Sequence, residues 1–223
     1  MSLEKQNAAK AAVDEIEDGM LVGLGTGSTA SYAISYLGEK IRKGLSISAI
    51  PTSETSKKQA EAEGIPLTNF EQHPKIDICI DGADEIDSKL NMIKGGGGAL
   101  LREKIVASSA KRYLIIVDSS KKVDVLGTFP LPVEVIPFGW QVVFGKLKSM
   151  NANPKIRKPK GCPFVTDEGN YILDCSFKNI EDPSQLETEL NSIPGIVENG
   201  LFTGMCNRMI MGKGEQVISE ERR

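Results

Sequence analysis

The chain has 223 residues, with 27 Lys and Arg against 30 Asp and Glu, a formal charge of −3 and a hydrophobic content of 40%. This length suits one large or two small domains, and the nearly balanced charge argues against a nucleic-acid-binding protein or a polybasic membrane anchor. The sequence shows neither a membrane-spanning apolar run nor a signal peptide, so we expect a cytoplasmic protein. Its four cysteines have no C-x-x-C spacing, which predicts reduced thiols with neither disulfides nor zinc.

The N-terminal part of the chain alternates between helical and strand patterns, as α/β proteins do. Apolar periodicity predicts helices over 3–18, 28–43 and 52–63, and strands over 20–24, 46–50 and 65–68. Lys5 lies in the first helical turn, where a lysine is usually solvated. The single histidine, His73, precedes Pro74 in a turn and is expected to be a bystander. Proton transfer would then fall to carboxylates or lysine.

A glycine-rich turn over 25–30 separates the first strand from the second helix. This arrangement presents backbone N–H groups and a helix dipole to an anion, and the turn contains Thr26, Gly27, Ser28 and Thr29. An ordinary helix N-cap would also use Ser or Thr, and the pattern fits a dinucleotide fingerprint that ends in alanine. The next strand has no acidic residue at its tip, so the turn suits a single phosphate better than a dinucleotide.

A carboxylate cluster follows the apolar strand expected over 76–80. Ligands of open α/β sheets bind beyond the carboxyl ends of the strands, which would place Asp81 and Asp84 at the edge of a pocket. Gly82 and Ala83 between them leave room for a ligand near the backbone. A solvated turn is the plain alternative. A divalent-cation site formed with the two further acids at 85 and 87 is another, although the spacing does not fit the twelve-residue calcium loop.

Lys94 and four glycines over 95–98 come next and lead into a helix expected over 99–110, which carries Glu103. The N–H groups of such a loop can cradle an anion, whereas a flexible linker would contain more serine and no helix start behind it. Leu101 and Ile105, one turn apart, are expected to face inward.

The next buried strand, expected over 113–117, ends in Asp118, two serines and Lys121. Lys121 could complete a phosphate site at this strand end, and the alternative is a surface lysine in a turn.

Prolines over 129–132 interrupt the rhythm of strands and helices. Beyond them we predict strands over 133–136, 164–166, 171–177 and 196–202, helices over 140–150 and 183–191, and short apolar pieces over 208–211 and 216–218 that rejoin the first sheet. The segment 158–163 has the character of a variable loop. The expected fold is α/β, with a doubly wound Rossmann-like domain over 1–130 plus 203–223 and an inserted smaller α+β domain over 131–202.

A phosphate cradle, two lysines and several carboxylates together indicate proton transfer on a small phosphorylated substrate. A carboxylate can remove a proton from carbon beside a carbonyl, and the enediolate that forms needs donors or a cation. The motifs Gly-Leu-Gly-Thr-Gly-Ser-Thr (23–29), Asp-Gly-Ala-Asp-Glu (81–85), Lys-Gly-Gly-Gly-Gly-Ala-Leu-Leu-Arg-Glu-Lys (94–104) and Phe-Pro-Leu-Pro-Val-Glu-Val-Ile-Pro (129–137) closely resemble the A-type ribose-5-phosphate isomerase family. The resemblance extends from Lys5 to Gly212. Gly98 stands where alanine is frequent, which is not expected to affect chemistry.

The resemblance implies interconversion of ribose 5-phosphate and ribulose 5-phosphate in the non-oxidative branch of the pentose phosphate pathway, without metal or cofactor. It implies that Glu103 moves a proton between C2 and C1. Asp81 would exchange protons with the sugar oxygens, and Asp84 would assist ring opening. Lys94 and the glycine loop would stabilise the enediolate.

The implied substrate-binding residues are Lys5, Thr26, Gly27, Ser28, Thr29, Asp81, Gly82, Ala83, Asp84, Lys94, Gly95, Gly96, Gly97 and Lys121. Of these, the residues at 26–29 with Lys121, and Lys5 with them, would hold the phosphate. A sugar phosphate would be the only partner besides a second copy of the chain, in a homodimer or homotetramer, with neither nucleic acid nor membrane involved.

Two other function classes stay open at the level of sequence. A sugar-phosphate-sensing regulator on a related fold would bind without turnover, but it would normally carry a basic DNA-binding module. A nicotinamide-dependent dehydrogenase is suggested only by the turn over 25–30, and a nucleotide-binding titration would identify it.

Overall fold

The computed structural model describes residues 2–159 and 161–222, so that Lys160, in the expected variable loop, lies outside the described residues. It shows a mixed α/β protein with a parallel sheet. The helices and strands, in chain order, are α1 (Leu3–Val13), β1 (Leu21–Leu24), α2 (Ser28–Arg42), β2 (Ser48–Pro51), α3 (Glu54–Ala62), β3 (Ile76–Asp81), β4 (Glu85–Ile86), β5 (Met92–Ile93), α4 (Leu100–Ser109), β6 (Ala110–Asp118), β7 (Leu131–Val135), α5 (Trp140–Ser149), β8 (Pro154–Ile156), β9 (Tyr171–Cys175), α6 (Pro183–Asn191), β10 (Ile196–Asn199), β11 (Leu201–Phe202), β12 (Arg208–Lys213) and β13 (Gln216–Glu221). Single turns of 3-10 helix cover Ser119–Lys121 and Pro137–Gly139.

The chain divides into two compact units. The first contains residues 1–83, 102–122 and 205–223, and the second contains 84–101 and 123–204. This division differs from the expected boundaries, because 84–101 and 123–130 group with the second unit. β4 and β5 pair within that unit and β5 pairs with β11. The buried carboxylate of Glu85 also binds the backbone N–H groups of Gly127 and Phe129, at 2.7 and 2.6 Å.

The first unit is built on a six-stranded sheet in the order β2-β1-β3-β6-β12-β13. The strands from β2 to β12 are parallel, and β13 returns antiparallel to β12 as a hairpin. The central strands are buried along nearly their whole length, as expected for parallel strands covered on both faces. This explains why they are continuous apolar runs rather than alternating patterns.

Side chains alternate between the two faces of this sheet. One face packs against α1 and α2 in an apolar cluster that includes Val22, Ile80, Leu114 and Ile210. The opposite face lies under α4: a Cβ on Gly23 would come within 2.7 Å of the Val106 side chain. The strands of this sheet are therefore covered by α1 and α2 on one face and by α4 on the other.

Two helices of the first unit depart from the sequence prediction. α1 ends at Val13 rather than at 18, because the backbone tightens there into bonds from the Ile16 N–H to the Val13 carbonyl and from the Glu15 N–H to the Ala12 carbonyl, both at 3.2 Å. Lys40 Nζ also donates to the Val13 carbonyl, at 2.9 Å. In α4 the inward assignment of Ile105 is wrong, whereas Leu101 is partly buried. Ile105 is 47% exposed, and the buried positions include Glu103 and Val106. The apolar periodicity gave the wrong inward face because Glu103, a carboxylate, takes an inward position of the helix.

The second unit contains an antiparallel sheet in the order β10-β7-β9-β8 and a small sheet in the order β11-β5-β4. Side chains of α5 and α6, among them Val143 and Leu190, join Val133 and Leu173 of the larger sheet in one apolar core. The helix predicted over 183–191 is confirmed.

Two predicted strands of the second unit are wrong. The strand expected over 196–202 is two strands in different sheets, β10 and β11, and the chain changes sheet at Gly200, whose N–H binds the Pro132 carbonyl and whose carbonyl accepts the Lys94 N–H. The expected strand over 164–166 is irregular instead and leads into a turn at 167–168. The Thr166 hydroxyl donates to Glu134 and accepts from the Asn170 N–H, so side-chain hydrogen bonds replace a strand ladder there.

Candidate active site

Asp81 ends β3 and is fully buried. Its Oδ1 accepts the Thr26 N–H at 3.0 Å and the Gly82 N–H at 2.7 Å, so two backbone donors fix its orientation. Hydrogen bonds from backbone donors favour the ionised form of a carboxylate. The sequence placed Asp81 at a strand end, and the structure adds that this end meets the turn after β1.

Gly25 lets β1 and β3 approach each other at this point. A Cβ on Gly25 would lie 2.2 Å from Asp81 Oδ1 and 2.5 Å from its Cα, and contacts this short do not occur in proteins. The glycine is thus required by the position of the carboxylate. The sequence motif contains this glycine, but only the structure shows that Asp81 occupies the place of its missing side chain.

Glu103 lies in the first turn of α4 and is only 4% exposed. It is one turn before Val106, which packs over Gly23, so the carboxylate and Val106 share the helix face that covers the sheet. The same unit therefore holds the buried carboxylates of Asp81, from a strand end, and Glu103, from a helix start, besides that of Asp118.

The turn over 25–30 forms the start of α2, with Gly27 as its N-cap and Ser28 and Thr29 as its first residues. The predicted helix start is confirmed. Backbone N–H groups of a first helical turn lack helical partners and, with the dipole, attract anions. Lys5 Nζ donates to the Ser28 hydroxyl at 2.9 Å, which brings an ammonium group to this helix start.

The Thr26 hydroxyl is directed elsewhere. It lies 2.7 Å from the Thr52 hydroxyl, 2.8 Å from that of Ser53 and 3.1 Å from that of Ser56, all at the end of β2 and the start of α3. The Ser56 hydroxyl in turn donates to the Gly25 carbonyl at 2.6 Å. This hydroxyl cluster supports the turn on the side of α3, and sequence reasoning missed it because its members come from two segments about 25 residues apart.

Asp118 links Lys5 to the segment that carries Lys121. Its carboxylate lies 3.7 Å from Lys5 Nζ and accepts the Ser120 N–H at 3.0 Å. Lys121 closes the short 3-10 helix that follows. Glu4, beside Lys5, accepts the Ser119 N–H and hydroxyl and the Gly214 N–H.

The Gly214 hydrogen bond, followed by those from Ser119, lowers the pKa of Glu4. An ionised Glu4 thereby ties the start of α1 to the end of β6. The two predicted phosphate-binding lysines thus belong to segments that Glu4 and Asp118 hold together.

In the second unit, Asp84 orders the glycine loop. Its Oδ2 accepts the Gly96 N–H at 2.8 Å, and its own N–H donates to the Ile93 carbonyl at 2.8 Å. Gly98 donates to the Gly95 carbonyl at 2.9 Å, which closes the loop as a turn. The predicted loop is therefore a hydrogen-bonded structure rather than a linker.

Arg157 supports the same loop and was missed by sequence reasoning. Its guanidinium donates to the carbonyls of Gly95 and Gly96, both at 3.1 Å, and binds Asp174 through two nitrogens. A lone arginine 60 residues beyond the loop gives no sequence signal, although it follows β8. Arg157 thus fixes the carbonyl groups of a loop whose Gly96 and Gly98 N–H groups are bound by Asp84 and Gly95.

Gly98 has a φ of +83°, and a Cβ there would lie 2.5 Å from the Phe164 ring. The ring also lies 5.8 Å from the Arg157 guanidinium. In this chain the space that an alanine methyl group would need is taken by Phe164.

Lys94 is 2% exposed, and its Nζ lies 5.4 Å from the centre of the Phe202 ring. Burying an ammonium group is costly without charge or hydrogen-bond partners, and the face of an aromatic ring attracts a cation. Its backbone N–H donates to the Gly200 carbonyl at 2.9 Å. The Lys94 side chain therefore lies in the interior of the second unit, against the ring of Phe202.

The acids that could have formed a divalent-cation site have backbone partners instead. Glu85 binds the N–H groups of Gly127 and Phe129, and Asp87 accepts from the N–H groups of Lys89 and Asn91. The part of the chain that the structure describes holds no group of three or more His, Cys, Asp or Glu side chains placed to bind a metal ion. Within residues 2–159 and 161–222, no helix combines the length and apolar character needed to cross a membrane.

Comparison with known proteins agrees with these features. A model of the family described as ribose 5-phosphate isomerase A (phosphoriboisomerase A) matches residues 48–216. The chain is 52% identical over 213 residues to ribose-5-phosphate isomerase A of Gloeobacter violaceus, covering 95% of this chain and 93% of the relative. The protein of the same name from Methanothermobacter thermautotrophicus is 51% identical over 218 residues, covering 96% of each chain.

Solved structures give the same result. A D-ribose-5-phosphate isomerase in complex with phospho-erythronic acid superposes with a TM-score of 0.95 at 44% identity, covering 98% of this chain and 97% of the other. The ribose 5-phosphate isomerase of Plasmodium falciparum gives 0.94 at 40% identity, covering 98% of each chain. With sequence and structure matched over nearly the full length, the chain belongs to the ribose 5-phosphate isomerase A family.

Proposed function

We propose that this chain interconverts D-ribose 5-phosphate and D-ribulose 5-phosphate through an enediolate, with Glu103 moving the proton between C2 and C1. The overall reaction is that of the family to which the chain belongs. The observation that supports the residue roles is the pair of buried carboxylates, Asp81 and Glu103, in the unit that also presents an anion-binding helix start. The exchange experiment that tests the base is described in the Discussion.

Burial suits Glu103 to proton abstraction from carbon. A carboxylate shielded from water is a stronger base towards a bound substrate, because little solvent competes for its charge. Asp81, fixed by the N–H groups of Thr26 and Gly82, is suited to a different task. We assign it proton exchange with the sugar oxygens, which have to gain and lose protons as the carbonyl moves.

The phosphate end of the substrate is assigned to the start of α2 and the two lysines. Ser28 and Thr29 supply hydroxyl and N–H donors, and the contact between Lys5 and Ser28 supports a phosphate role for Lys5. A dianionic phosphate would gain from both ammonium groups, Lys5 and Lys121. The hydroxyl of Thr26 is engaged with the α3 start, so we assign only its backbone to the substrate side.

Roles in the second unit follow from how its residues are held. Asp84 and Asp81 are separated only by Gly82 and Ala83, and we assign Asp84 to ring opening. The closed glycine loop, with Gly95, Gly96 and Gly97, and the buried ammonium of Lys94 are assigned to the enediolate charge. Preorganised donors of this kind stabilise developing charge without reorganising.

One relative in this family was solved with phospho-erythronic acid. That compound carries a phosphate at one end of its carbon chain and a carboxylate at the other, where a planar enediolate would carry its charge. It is therefore a suitable non-reacting ligand for binding measurements on variants of this chain.

Lys121→Ala is expected to lower kcat/KM for ribose 5-phosphate by about ten- to a hundredfold, the loss of one charge-assisted hydrogen bond. Slow turnover of unphosphorylated ribose should stay nearly unchanged, because the lysine would contact only the phosphate. The measurement is a steady-state assay with both sugars. Lys122→Ala is the control, since Lys122 pairs with Glu220 instead. Equal losses with both sugars would argue against a phosphate role for Lys121.

The two compact units and the exposed apolar side chains bear on the domain organisation and on self-association. We propose that the first unit is the Rossmann-like catalytic domain, that the second is the smaller inserted α+β domain, and that the protein acts in the cytoplasm as a homodimer or homotetramer. Ile136, Phe138 and Val142 support self-association, because these apolar side chains are 40%, 97% and 77% exposed within seven residues.

Val142→Asp is expected to shift the protein from its oligomeric mass towards the monomer mass, since a carboxylate on this surface would be desolvated in an interface. Light scattering after gel filtration measures both masses. A wild-type protein that elutes at the 24.1 kDa monomer mass would refute self-association.

A further inference from the structure

Tyr113 is a buried tyrosine of β6 to which the proposed mechanism gives no task. It is 1% exposed, and its backbone N–H and carbonyl are both bound to Asn207. Among the described residues, its hydroxyl has no hydrogen-bond partner. A buried hydroxyl without a partner is costly, so its retention in the interior needs a reason.

The sheet register places the Tyr113 side chain beneath the two proposed catalytic carboxylates. Tyr113 pairs with Cys79, and Ile115 pairs with Asp81 two residues further along the same strands. Leu114, between them, packs on the face covered by α1 and α2, so Tyr113 and Asp81 are on the opposite face.

α4 covers that opposite face. The Cβ position of Gly23 is 2.7 Å from Val106 of α4 and 2.9 Å from Cys79 Sγ. Glu103 is one helical turn before Val106, towards the strand ends. Tyr113, Asp81 and Glu103 thus lie in one buried layer between the sheet and α4.

The surroundings keep the hydroxyl protonated, so that it can act as a donor. Burial first, and then the charge of Asp81, raise the pKa of Tyr113 well above its ordinary value, with smaller contributions from Cys79, Glu103 and Cys206. Burial also raises the pKa of the Cys206 thiol to about 12, so that this neighbour is neutral. Asp81 and Glu103 are thus the carboxylates near the Tyr113 hydroxyl.

We propose that Tyr113 is a positioning residue for proton transfer, whose hydroxyl donates a hydrogen bond to the ionised carboxylate of Glu103 as substrate binds. This inference rests on the proposed role of Glu103. Asp81 accepts two backbone N–H groups through one oxygen, and Glu103 is the other carboxylate of this layer. A glutamate side chain has three rotatable bonds, so each hydrogen bond to its carboxylate narrows the directions in which it can point. A donor behind Glu103 would favour its ionised form and direct it towards C2 and C1.

The test is the pH profile of kcat for ribose 5-phosphate in Tyr113→Phe, because kcat reports ionisation in the substrate complex, where the hydrogen bond forms. Removing the donor should shift the acidic limb to higher pH by about one unit, the size expected for one hydrogen bond to a carboxylate. Tyr36→Phe, on α2 against the opposite face of the sheet, is the matched control and should leave the limb in place. Thermal unfolding of both variants shows whether the fold is intact.

A structural role alone would change thermal stability and leave the pH profile unmoved. An acidic limb of Tyr113→Phe that stays in place, or moves to lower pH, overturns the inference even if Glu103 is the base. The proposed role of Glu103 is tested by a different variant. If Glu103→Gln, with Tyr113 unchanged, still exchanges the C2 hydrogen of the substrate, the proposed function fails, whatever the pH profile of Tyr113→Phe.

Discussion

Glu103→Gln is expected to lower kcat by about 10² to 10⁴, the usual contribution of a general base. Glutamine keeps the size and polarity of the buried side chain but cannot take up the proton. Folding and binding of phospho-erythronic acid should therefore persist, so the loss should appear in kcat rather than in affinity. Glu103 is 4% exposed on the inner face of α4, so the substitution changes a buried carboxylate and leaves the protein surface as it is.

The decisive measurement is exchange of the C2 hydrogen of ribose 5-phosphate with deuterated water, followed by NMR. The variant should show almost no exchange, because exchange requires the same proton abstraction as isomerisation. Glu61→Gln, an exposed glutamate on α3, is the control and should exchange at the wild-type rate. If Glu103→Gln exchanges the hydrogen as fast as the wild type, another residue is the base.

Gly25→Ala is expected to lower kcat/KM by about 10², because the added methyl group must move Asp81. The Cβ would lie 2.4 Å from the Asp81 carboxyl carbon and 2.5 Å from its Cα, so a side-chain rotation alone cannot relieve the contact. A displacement of about 1 Å at a catalytic group can cost this much in rate. The same overpacking should lower the free energy of unfolding by about 3 kcal/mol.

Urea unfolding and steady-state kinetics measure the two effects of Gly25→Ala separately. Gly145→Ala is the matched control: Gly145 is exposed within α5, and a Cβ there would contact nothing within 4 Å. That variant should be more stable by about 0.5 to 1 kcal/mol, because alanine favours a helix over glycine. Unchanged activity and stability in Gly25→Ala would show that Asp81 is not held as closely as the geometry implies.

The elements and the chemistry could be predicted from the sequence to a large extent. Periodicity predicted α2 and α6, and the buried runs predicted β3 and β6, because helix and strand periods are local properties of the chain. The motifs over 23–29, 81–85 and 94–104 indicated the family, since glycines and carboxylates at fixed spacing reflect a ligand-binding backbone. The residue roles within those motifs stay predictions.

Long-range packing was decided only by the tertiary structure. Sequence periodicity placed Leu101 and Ile105 of α4 inward, although Ile105 is exposed, because it follows apolar residues and cannot recognise a buried carboxylate such as Glu103. It also gave no reason to join 84–101 to the second unit, a grouping that depends on pairing between β5 and β11, more than 100 residues apart.

The contacts that hold the proposed site residues in place also could not be predicted from the sequence. Sequence by itself indicated the residues that we propose for the chemistry, and it placed Asp81 at the end of a strand. Tertiary structure alone brought Lys5 to Ser28, Arg157 to the carbonyls of the glycine loop, and Tyr113 into one layer with Asp81. Each of these contacts joins segments distant in sequence. Their partners are fixed by sheet register and helix packing, which depend on the whole fold rather than on any local pattern.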